Sequence, residues 1–338
     1  MSIREILLGN RGADNALLAT VDTGQSLHRI LFDCGEGCLN SLKQSEIQSI
    51  EHLCFSHFHM DHVSGFDTFF RHNYNRPDGP VQVWGPEHSV EVMGNRFRSF
   101  TWNLHKNQPG EWIVCELRGE AIHGSRFRTR EAFAEAHELP QKSLERRTLF
   151  SRPEFRIEVM ALPHHTIQSL AYRIVESDRI KICPDALQRS GLNPGKWLQE
   201  ITTSDYEEGQ MIEVDGQSLS LKKLREDLLT RSAGESIAYL TDFCIEKDTD
   251  AWQEAVEWLS GTDKLVVECQ YHSRDQSLAD RNGHMTATAV GRLAADSKVG
   301  QVILMHLSRR YSQEEWAELL AEVQAEFPRA SFPNHWNF

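Results

Sequence analysis

Short apolar runs alternate with turn-forming residues along most of the chain, and this pattern predicts many strands. The runs are too short for helices, and most of them end at Gly, Pro, Asp or His. The predicted strands are residues 5–8, 16–21, 30–32, 53–55, 81–84, 155–162, 169–175, 236–241, 264–269 and 301–306.

Three stretches have the spacing of helices instead. One lies near residues 63–74 and a second covers residues 285–295. The third begins at Ser312, where Ser312 and Glu315 form a capping box and Trp316 opens an apolar face. Because the strands fall into two sets with helices between and after them, we expect a layered α/β protein whose two sheets pack face to face under outer helices.

Two segments depart from this pattern. Residues 100–155 mix Trp, Arg, Gly and Pro without a clean period, so we expect an elaboration of one domain that spans residues 1–338. Within it, Arg126, Arg128 and Arg130 alternate at strand spacing, which fits a solvated edge better than a phosphate-facing ridge. The segment 177–216 is rich in turn formers and is a candidate projecting arm.

Composition narrows the class of protein. The chain of 338 residues has 40% hydrophobic and 25% charged residues, which is ordinary for a soluble enzyme. Its net charge of -13 argues against a protein that coats nucleic acid non-specifically. The seven Cys residues are scattered without a C-x-x-C pair and are expected as buried thiols. Since neither a membrane span nor a signal peptide is visible, we expect a cytoplasmic protein.

The candidate chemistry lies in the loop after the strand at 53–55. His57, His59, Asp61 and His62 fall within six residues, a spacing that brings alternate side chains to one point. Imidazole and carboxylate are ligands of zinc, and two ligand pairs this close can serve two ions. A chance cluster on a solvated loop is the alternative, but the apolar run before it and the Ser-Gly pair after it favour a strand, a ligand loop and a helix start.

Later strand ends offer further ligands. His164 and His165 follow one apolar run, Asp242 closes another, and His306 closes a third. Each could be a plain turn residue, but the first cluster needs partners and these are the best placed. Asp33, at the end of the strand 30–32, is equally well explained as a turn residue or as a group that orients a metal-bound imidazole.

A pair of divalent ions suits phosphodiester hydrolysis. Two ions about 3.5 to 4 Å apart make a shared water acidic and clamp the attacking and leaving oxygens. A nearby acid must then protonate the oxygen that departs.

Residues 57–62 resemble the H-x-H-x-D-H signature of the metallo-β-lactamase superfamily, and the later motifs resemble its ribonuclease Z branch. His165 stands seven residues before Tyr172, as in that branch's H-x6-[YR] pattern, which favours His165 over His164. Asp242 in Leu-Thr-Asp matches the bridging aspartate, and residues 305–311 resemble the closing H-x-S-x-R-Y motif. The resemblance implies a four-layer αββα metallo-β-lactamase sandwich of two mixed sheets.

The resemblance also implies a ligand set and catalytic roles. One ion would be held by His57, His59 and His165, the other by Asp61, His62 and His306, with Asp242 between them. Asp61 would also accept a proton. His284 matches the histidine that helps the leaving group depart, and Glu268 would support it, although only the Glu of the H-E-A-T element is kept. Residues 191–198 resemble the base of the arm with which ribonuclease Z grips tRNA.

The leading interpretation is a two-metal phosphodiesterase that removes the 3′ trailer from precursor tRNA endonucleolytically. Zinc is the expected metal, with manganese or iron as alternatives, and a homodimer is the expected assembly. Two departures from the family leave a small phosphodiester, an ester or a lactone as the alternative substrate. These are the short first loop at residues 9–15 and the block 100–155. A scaffold without activity is the third interpretation.

Overall fold

The computed structural model describes residues 2–202, 207 and 209–336. Its strands are β1 (Ser2–Leu8), β2 (Ala16–Asp22), β3 (Leu27–Phe32), β4 (Ile50–Cys54), β5 (Val81–Gly85), β6 (Glu111–Arg118), β7 (Ala121–Arg128), β8 (His137–Ser143), β9 (Thr148–Ser151), β10 (Phe155–His164), β11 (Ile167–Glu176), β12 (Arg179–Ile182), β13 (Met211–Val214), β14 (Gln217–Ser220), β15 (Leu229–Ser232), β16 (Ser236–Leu240), β17 (Lys264–Glu268), β18 (Gln301–Met305) and β19 (Ala330–Ser331).

The helices connect and cover these strands. They are α1 (Gln44–Gln48), α2 (Met60–Val63), α3 (Phe66–Asn73), α4 (Ser89–Arg98), α5 (Pro184–Ser190), α6 (Trp197–Thr202), α7 (Leu221–Leu228), α8 (Asp250–Leu259), α9 (Gln276–Asn282), α10 (Ala287–Asp296) and α11 (Gln313–Glu326). The capping box expected at Ser312 and Glu315 is present at the start of α11.

Two mixed sheets form the larger of two compact units, residues 1–175 and 235–338. The first sheet has the order β1-β2-β3-β4-β5-β6-β7-β8 and the second β19-β18-β17-β16-β11-β10-β9. Strands β3 to β6 are parallel, as are β16 to β19. The carboxyl ends of parallel strands meet at one edge of a sheet, which is where polar groups from distant parts of a chain can be gathered.

The two sheets share one apolar core. Phe32 of β3 packs against Tyr172 of β11 and Tyr239 of β16, with ring centroids 5.4 and 5.6 Å apart. Residues of α8, α10 and α11 join this core from the outside, and a second cluster lies between the first sheet and α1, α3 and α4. The predicted α/β fold, an αββα sandwich of two mixed sheets, is therefore confirmed.

The segment 100–155, expected as an elaboration, supplies β6, β7 and β8 to the first sheet and β9 to the second. Residues 176–234 form the second compact unit, with a core of its own built on Trp197, Ile201 and Leu224. This unit extends past residue 216, where we expected the arm to end. Residues 203–206 and 208 of the expected arm lie outside the described residues.

Two further expectations can be compared with the structure. All seven cysteines are free, and five of them are buried as expected, whereas Cys183 and Cys244 are half-buried. Among the described residues no helix is both long and apolar enough to cross a bilayer.

Candidate metal centre

The first ligand loop is fixed by backbone contacts that only glycine allows. The strand β4 ends at Cys54, and α2 begins at Met60 after the loop. A Cβ atom on Gly65 would lie 2.2 Å from the carbonyl oxygen of Gly35, and a Cβ atom on Gly35 would lie 2.4 Å from the carbonyl oxygen of Asp61. Since such distances exclude any side chain, the two glycines let the loop after β3 pack directly under the His-rich loop.

The later candidates stand at strand ends in unusual backbone conformations. Asp33 follows β3, Asp242 follows β16 and His306 follows β18, and their φ angles are 58°, 49° and 54°. Residues other than glycine avoid this left-handed region, and exceptions concentrate at functional sites. The backbone turns sharply at each of these residues, which brings the side chain back over the edge of the sheet.

Two groups of ligand atoms meet at Asp242. The first group is His57, His59 and His164 together with Asp242, and the second contains Asp61, His62 and His306; within each group the ligand atoms lie within 4.8 Å of one another. The same distance also holds for a third combination, Asp242 with His284 and His306.

The two carboxylate oxygens of Asp242 face different groups. Oδ2 lies 3.7 Å from Nε2 of His57 and 3.8 Å from Nε2 of His164. Oδ1 lies 3.3 Å from Nε2 of His62 and 3.4 Å from Nδ1 of His306. Because one oxygen faces each group, Asp242 would be able to contact an ion held by either of them.

His164, and not His165, belongs to the first group. The strand β10 runs through His164, and Nδ1 of its buried ring lies 2.8 Å from the carbonyl oxygen of Gly283. His165 leaves the strand with a φ of 52°, and its exposed ring lies against Gly283. The structure thus brings His164 to the group, where the family spacing to Tyr172 favours His165. The difference follows from the alternation of β10, which buries Leu162 and His164 and ends before the exposed His165.

Hydrogen bonds at Nδ1 orient the imidazole rings of His57 and His62. Nδ1 of His62 lies 2.8 Å from Oδ2 of Asp33, and Nδ1 of His57 lies 3.0 Å from Oγ of Ser56. Asp33 is fully buried and also accepts from the hydroxyls of Ser56 and Tyr239. Nε2 of His57 and Nε2 of His62 are buried and have no hydrogen-bond partner among the described residues. This arrangement fits metal coordination through Nε2. A histidine that binds a metal through one nitrogen donates a hydrogen bond to an outer acceptor through the other, which here is Nδ1.

Charge around the site is consistent with a bound cation. Burial lowers the pKa of His57 and keeps its imidazole neutral, which is the form that binds a metal. Burial also disfavours the charged form of His62, but Asp242 and Asp33 raise its pKa well above the usual value. Burial by itself raises the pKa of the Asp61 carboxyl. The contacts with His306 and His62 outweigh this effect, so the pKa is lowered overall. The carboxylates that favour a positive charge on His62 would favour a divalent ion in the same way, and imidazole nitrogens and carboxylate oxygens are suitable donors for such ions.

A third pair of groups adjoins the ligands. Nδ1 of His284 lies 2.9 Å from Oε2 of Glu268, which is fully buried and also accepts from the backbone N–H of Phe243. Burial alone would lower the pKa of His284, but Glu268 raises it to about 9. The His284 ring centroid is 5.2 Å from that of His164 and 5.6 Å from that of His306. The pair is therefore placed to hold a proton beside both ligand groups.

Two residues at the site were not identified from the sequence. Asn15 accepts from the backbone N–H of His306 at 3.1 Å through its side-chain oxygen. Gln270 places Nε2 3.2 Å from Nε2 of His284 and 3.4 Å from Nδ1 of His306. Gln270 stands two residues after Glu268 where β17 ends, and that position beside β18 was the available signal.

The arginines of β7 are paired. Arg126 and Arg128 lie 3.3 and 3.4 Å from Glu111, and Arg128 also contacts Glu131 at 2.9 Å. The expected edge is wrong, because β7 pairs with both β6 and β8 and the edge strand is β8. The pairing with Glu111 and Glu131 still argues against a ridge of arginines free to face phosphates.

The chain is similar to known proteins along nearly its whole length. It is 36% identical to "Ribonuclease Z" of Deinococcus radiodurans over 98% of this chain and 97% of that protein. Residues 11–193 match the model of the family described as "Anti-Pycsar protein Apyc1". The chain belongs to the metallo-β-lactamase superfamily, in the group of ribonuclease Z and Apyc1 proteins.

Solved structures of the superfamily share the fold at low sequence identity. The metallo-β-lactamase fold protein YhfI from Bacillus subtilis aligns with a TM-score of 0.57 and 15% identity over 98% of this chain and 96% of that one. The short form of human tRNase Z aligns with a TM-score of 0.51 and 14% identity over 92% and 94%. The family and the class of enzyme expected from the motifs, a metal-dependent hydrolase, are thus confirmed.

Proposed function

We propose that this protein is a two-metal phosphodiesterase of the ribonuclease Z type, which removes the 3′ trailer from precursor tRNA by endonucleolytic cleavage. The observation that carries the proposal is the 36% identity to a ribonuclease Z over nearly the full length of both chains. The position of Asp242 between two ligand groups supports it, because paired cations suit displacement at phosphorus.

His57, His59 and His164 would hold one divalent ion and Asp61, His62 and His306 the other, with Asp242 between them. Zinc is the metal that this set of imidazoles favours, although manganese and iron accept the same ligands. When bound, such ions activate a water molecule and neutralise charge on the phosphoryl oxygens.

The remaining residues handle protons. Asp61, whose side chain is 45% exposed, would accept a proton from the attacking water. His284 would donate the proton at Nε2 to the departing 3′ oxygen of the tRNA, because Nδ1 is already engaged by Glu268. Glu268 acts through His284 by stabilising the charged imidazolium.

The second unit would bind the body of the tRNA. Lys181, Arg189 and Lys196 belong to residues 176–234 and could contact phosphates, which gives affinity without reading sequence.

A homodimer is part of the proposal. Leu104 is 81% exposed and Phe100 is 41% exposed, and both border a cavity of about 590 Å³ that Phe70, Tyr74 and Trp102 also line. In a two-fold dimer the same patch is used by both subunits, so Leu104 of each subunit could enter the cavity of the other. Light scattering should report a dimer for the natural chain and a monomer for Leu104→Glu. A dimer that survives this change would exclude the surface.

A small phosphodiester is the second candidate substrate. Residues 176–234, which would bind the body of the tRNA, contain eleven acidic and eight basic residues. An excess of acidic groups does not favour a polyanion such as tRNA.

One assay separates the two candidates. Purified, metal-analysed protein is given precursor tRNA, cyclic nucleotides, bis-p-nitrophenyl phosphate and a lactone, with Asp61→Ala as the inactive control. The proposal expects cleavage of precursor tRNA with kcat/KM well above that of each small substrate. Turnover of a cyclic nucleotide with no cleavage of precursor tRNA would replace it by the second candidate.

A further inference from the structure

Three of the ligand imidazoles share a pattern of support. The nitrogen that does not face the centre has an oxygen neighbour: Ser56 Oγ for His57, Asp33 Oδ2 for His62 and the Gly283 carbonyl for His164. A histidine that binds a metal through one nitrogen keeps its proton on the other, and that proton requires an acceptor.

His306 has a different neighbour. Its Nε2 lies 3.4 Å from Oδ2 of Asp61, within the second ligand group. Its Nδ1 lies 3.4 Å from Oδ1 of Asp242, which also faces that group, and 3.4 Å from the carboxamide of Gln270. Gln270 is thus the neighbour of Nδ1 that is not itself a candidate ligand.

The same carboxamide faces the proton donor. The Gln270 side chain lies 3.2 Å from Nε2 of His284, and Glu268 engages Nδ1 of that ring. For His284 to give a proton to the leaving oxygen, Nε2 must carry a hydrogen. Nδ1 of His306 and Nε2 of His284 are then both donors, so both call for an acceptor between them.

We infer that Gln270 is a positioning residue whose side-chain oxygen accepts hydrogen bonds from Nδ1 of His306 and Nε2 of His284. Nε2 of Gln270 faces the two rings in this structure, and a half-turn of the planar carboxamide puts Oε1 in the same place. Gln270 then fixes one ligand of the second ion and the proton donor with a single group. The inference rests on the proposed function, because it needs His306 as a metal ligand and His284 as an acid.

The local sequence explains why one side chain can do this. The strands β17 and β18 are parallel, and Glu268 pairs with Met305 in register. Gln270, two residues beyond Glu268, and His306, one residue beyond Met305, therefore lie just past neighbouring strand ends. Gln270 is half-buried, which allows the side chain to reach the site and to give way when the leaving oxygen approaches His284.

The test uses two substitutions with opposite expected results. Gln270→Leu removes both polar atoms, and Gln270→Glu keeps an oxygen acceptor at the same length. Gln82→Leu makes the same change at a half-buried position of β5 and serves as the control. Zinc affinity is measured for each protein by competition with a chromophoric chelator, and the Co²⁺ absorption spectrum reports the geometry of the second ion.

We expect Gln270→Leu to hold the second ion about 10- to 100-fold more weakly, the usual cost of losing an outer partner of a ligand. Gln270→Glu should bind it as tightly as the natural chain or more tightly, and Gln82→Leu should be unchanged. If Gln270→Leu does not fold, Gln270→Ala replaces it with the same expectation.

Two results would overturn the inference while leaving the metal centre intact. Natural affinity in both Gln270→Leu and Gln270→Ala would show that the residue supports nothing. Equal weakening in Gln270→Glu and Gln270→Leu would show that no acceptor is needed. A natural chain that binds no zinc would instead remove the proposed centre itself, so the two failures are distinguishable.

Discussion

The proposed chemistry depends on proton transfer from a single nitrogen, and this step can be tested directly. Nε2 of His284 is the ring atom left to meet a substrate, because Nδ1 is held by the buried carboxylate of Glu268. The ring lies beside His164 and His306, and one of its nitrogens also comes within 4.8 Å of the ligand atoms of Asp242 and His306. A test of His284 as an acid must therefore measure metal content and rate together.

We expect His284→Asn to slow cleavage of precursor tRNA by about 10²- to 10⁴-fold, the usual contribution of a general acid. Turnover of bis-p-nitrophenyl phosphate should fall far less, because nitrophenolate departs without a proton. The measurement is kcat on both substrates at equal metal content, with metal analysis as the control. Equal losses on the two substrates would mean that His284 does not protonate the leaving group.

Individual residues also show how far sequence reasoning reaches. His57, His59, Asp61 and His62 could be found because they are neighbours in the chain. The sequence offers both His164 and His165, and the structure brings His164 to the group because of where β10 ends, which a spacing counted to Tyr172 does not contain. No sequence motif pointed to Gln270 as a functional residue, because it is the pairing of β17 with β18 that brings it to the site.

The start of helix α11 could be predicted from the sequence alone. Oγ of Ser312 accepts from the backbone N–H of Glu315 at 3.3 Å, and the Glu315 side chain accepts from the backbone N–H of Ser312 at 2.9 Å. These bonds satisfy donors that a helix otherwise leaves free at its first turn. Leu319 and Val323 of the same helix are fully buried against the sheet, so the cap supports packing that the core needs.

Ser312→Ala should lower the free energy of unfolding by about 1 kcal/mol, the usual value of such a cap. Urea unfolding followed by circular dichroism measures the change. Ser218→Ala, at an exposed position of β14, is the matched control and should stay within about 0.5 kcal/mol of the natural chain. Equal stability of Ser312→Ala and the control would mean that the cap contributes nothing.

Strands β4, β5 and β9 meet at a buried histidine. The ring of His52 stacks on Phe150 with centroids 4.1 Å apart, and Nδ1 accepts from Nε1 of Trp84 at 3.2 Å. Burial, reinforced by the charge of Arg152, lowers the pKa of His52 to about 3. The folded protein therefore keeps His52 neutral where an unfolded chain, with an ordinary pKa of about 6.5, would protonate it.

Stability should consequently fall as the pH falls through this window. Between about pH 6.5 and pH 3 the unfolded chain binds a proton that the folded one refuses, at a cost of up to about 1.4 kcal/mol per pH unit. In His52→Gln, which keeps an acceptor for Trp84 but cannot be protonated, the slope should be shallower by that amount. Denaturant unfolding of metal-free protein from pH 6.5 to pH 4 measures it, with His335→Gln at an exposed site as control. Parallel slopes for His52→Gln and the natural chain would refute the assignment.

Element boundaries were easiest to predict where a turn former follows an apolar run, as at β2, β5 and β16. The strands β6 and β8 were missed, and β7 was indicated only by the spacing of its arginines, because the apolar positions are interrupted by paired arginines and glutamates such as Arg126 and Glu111. That pairing joins neighbouring strands and cannot be seen in one segment alone. The predicted helix near 63–74 divides at Gly65, whose close approach to Gly35 is likewise a contact between distant segments.

At the scale of the whole molecule, residues 176–234 are an insertion between two strands that pair directly. The strands β11 and β16 are antiparallel, and Val175 pairs with Ser236. The ends of the inserted unit also touch, since a Cβ atom on Gly234 would lie 2.3 Å from the carbonyl oxygen of Glu176. The unit has its own apolar core, so its removal should leave the core of the two sheets complete.

We therefore expect the unit to be replaceable by a tight turn. Substituting Asn-Gly for residues 177–234 leaves Glu176 and Glu235 on either side of a two-residue loop, which is the favoured connection of an antiparallel hairpin. The shortened protein should bind metal and hydrolyse bis-p-nitrophenyl phosphate within a few-fold of the natural rate. Cleavage of precursor tRNA should be lost if the unit supplies the phosphate contacts.

The matched control separates the charges of the unit from its bulk. Exchange of Lys181, Arg189 and Lys196 for Gln keeps the unit and removes the three proposed phosphate contacts. Because such contacts release counterions, this variant should weaken tRNA binding and flatten its dependence on salt, while nitrophenyl turnover stays natural. Full cleavage of precursor tRNA by the shortened protein would show that the unit has another role, and loss of both activities would show that the two sheets depend on it.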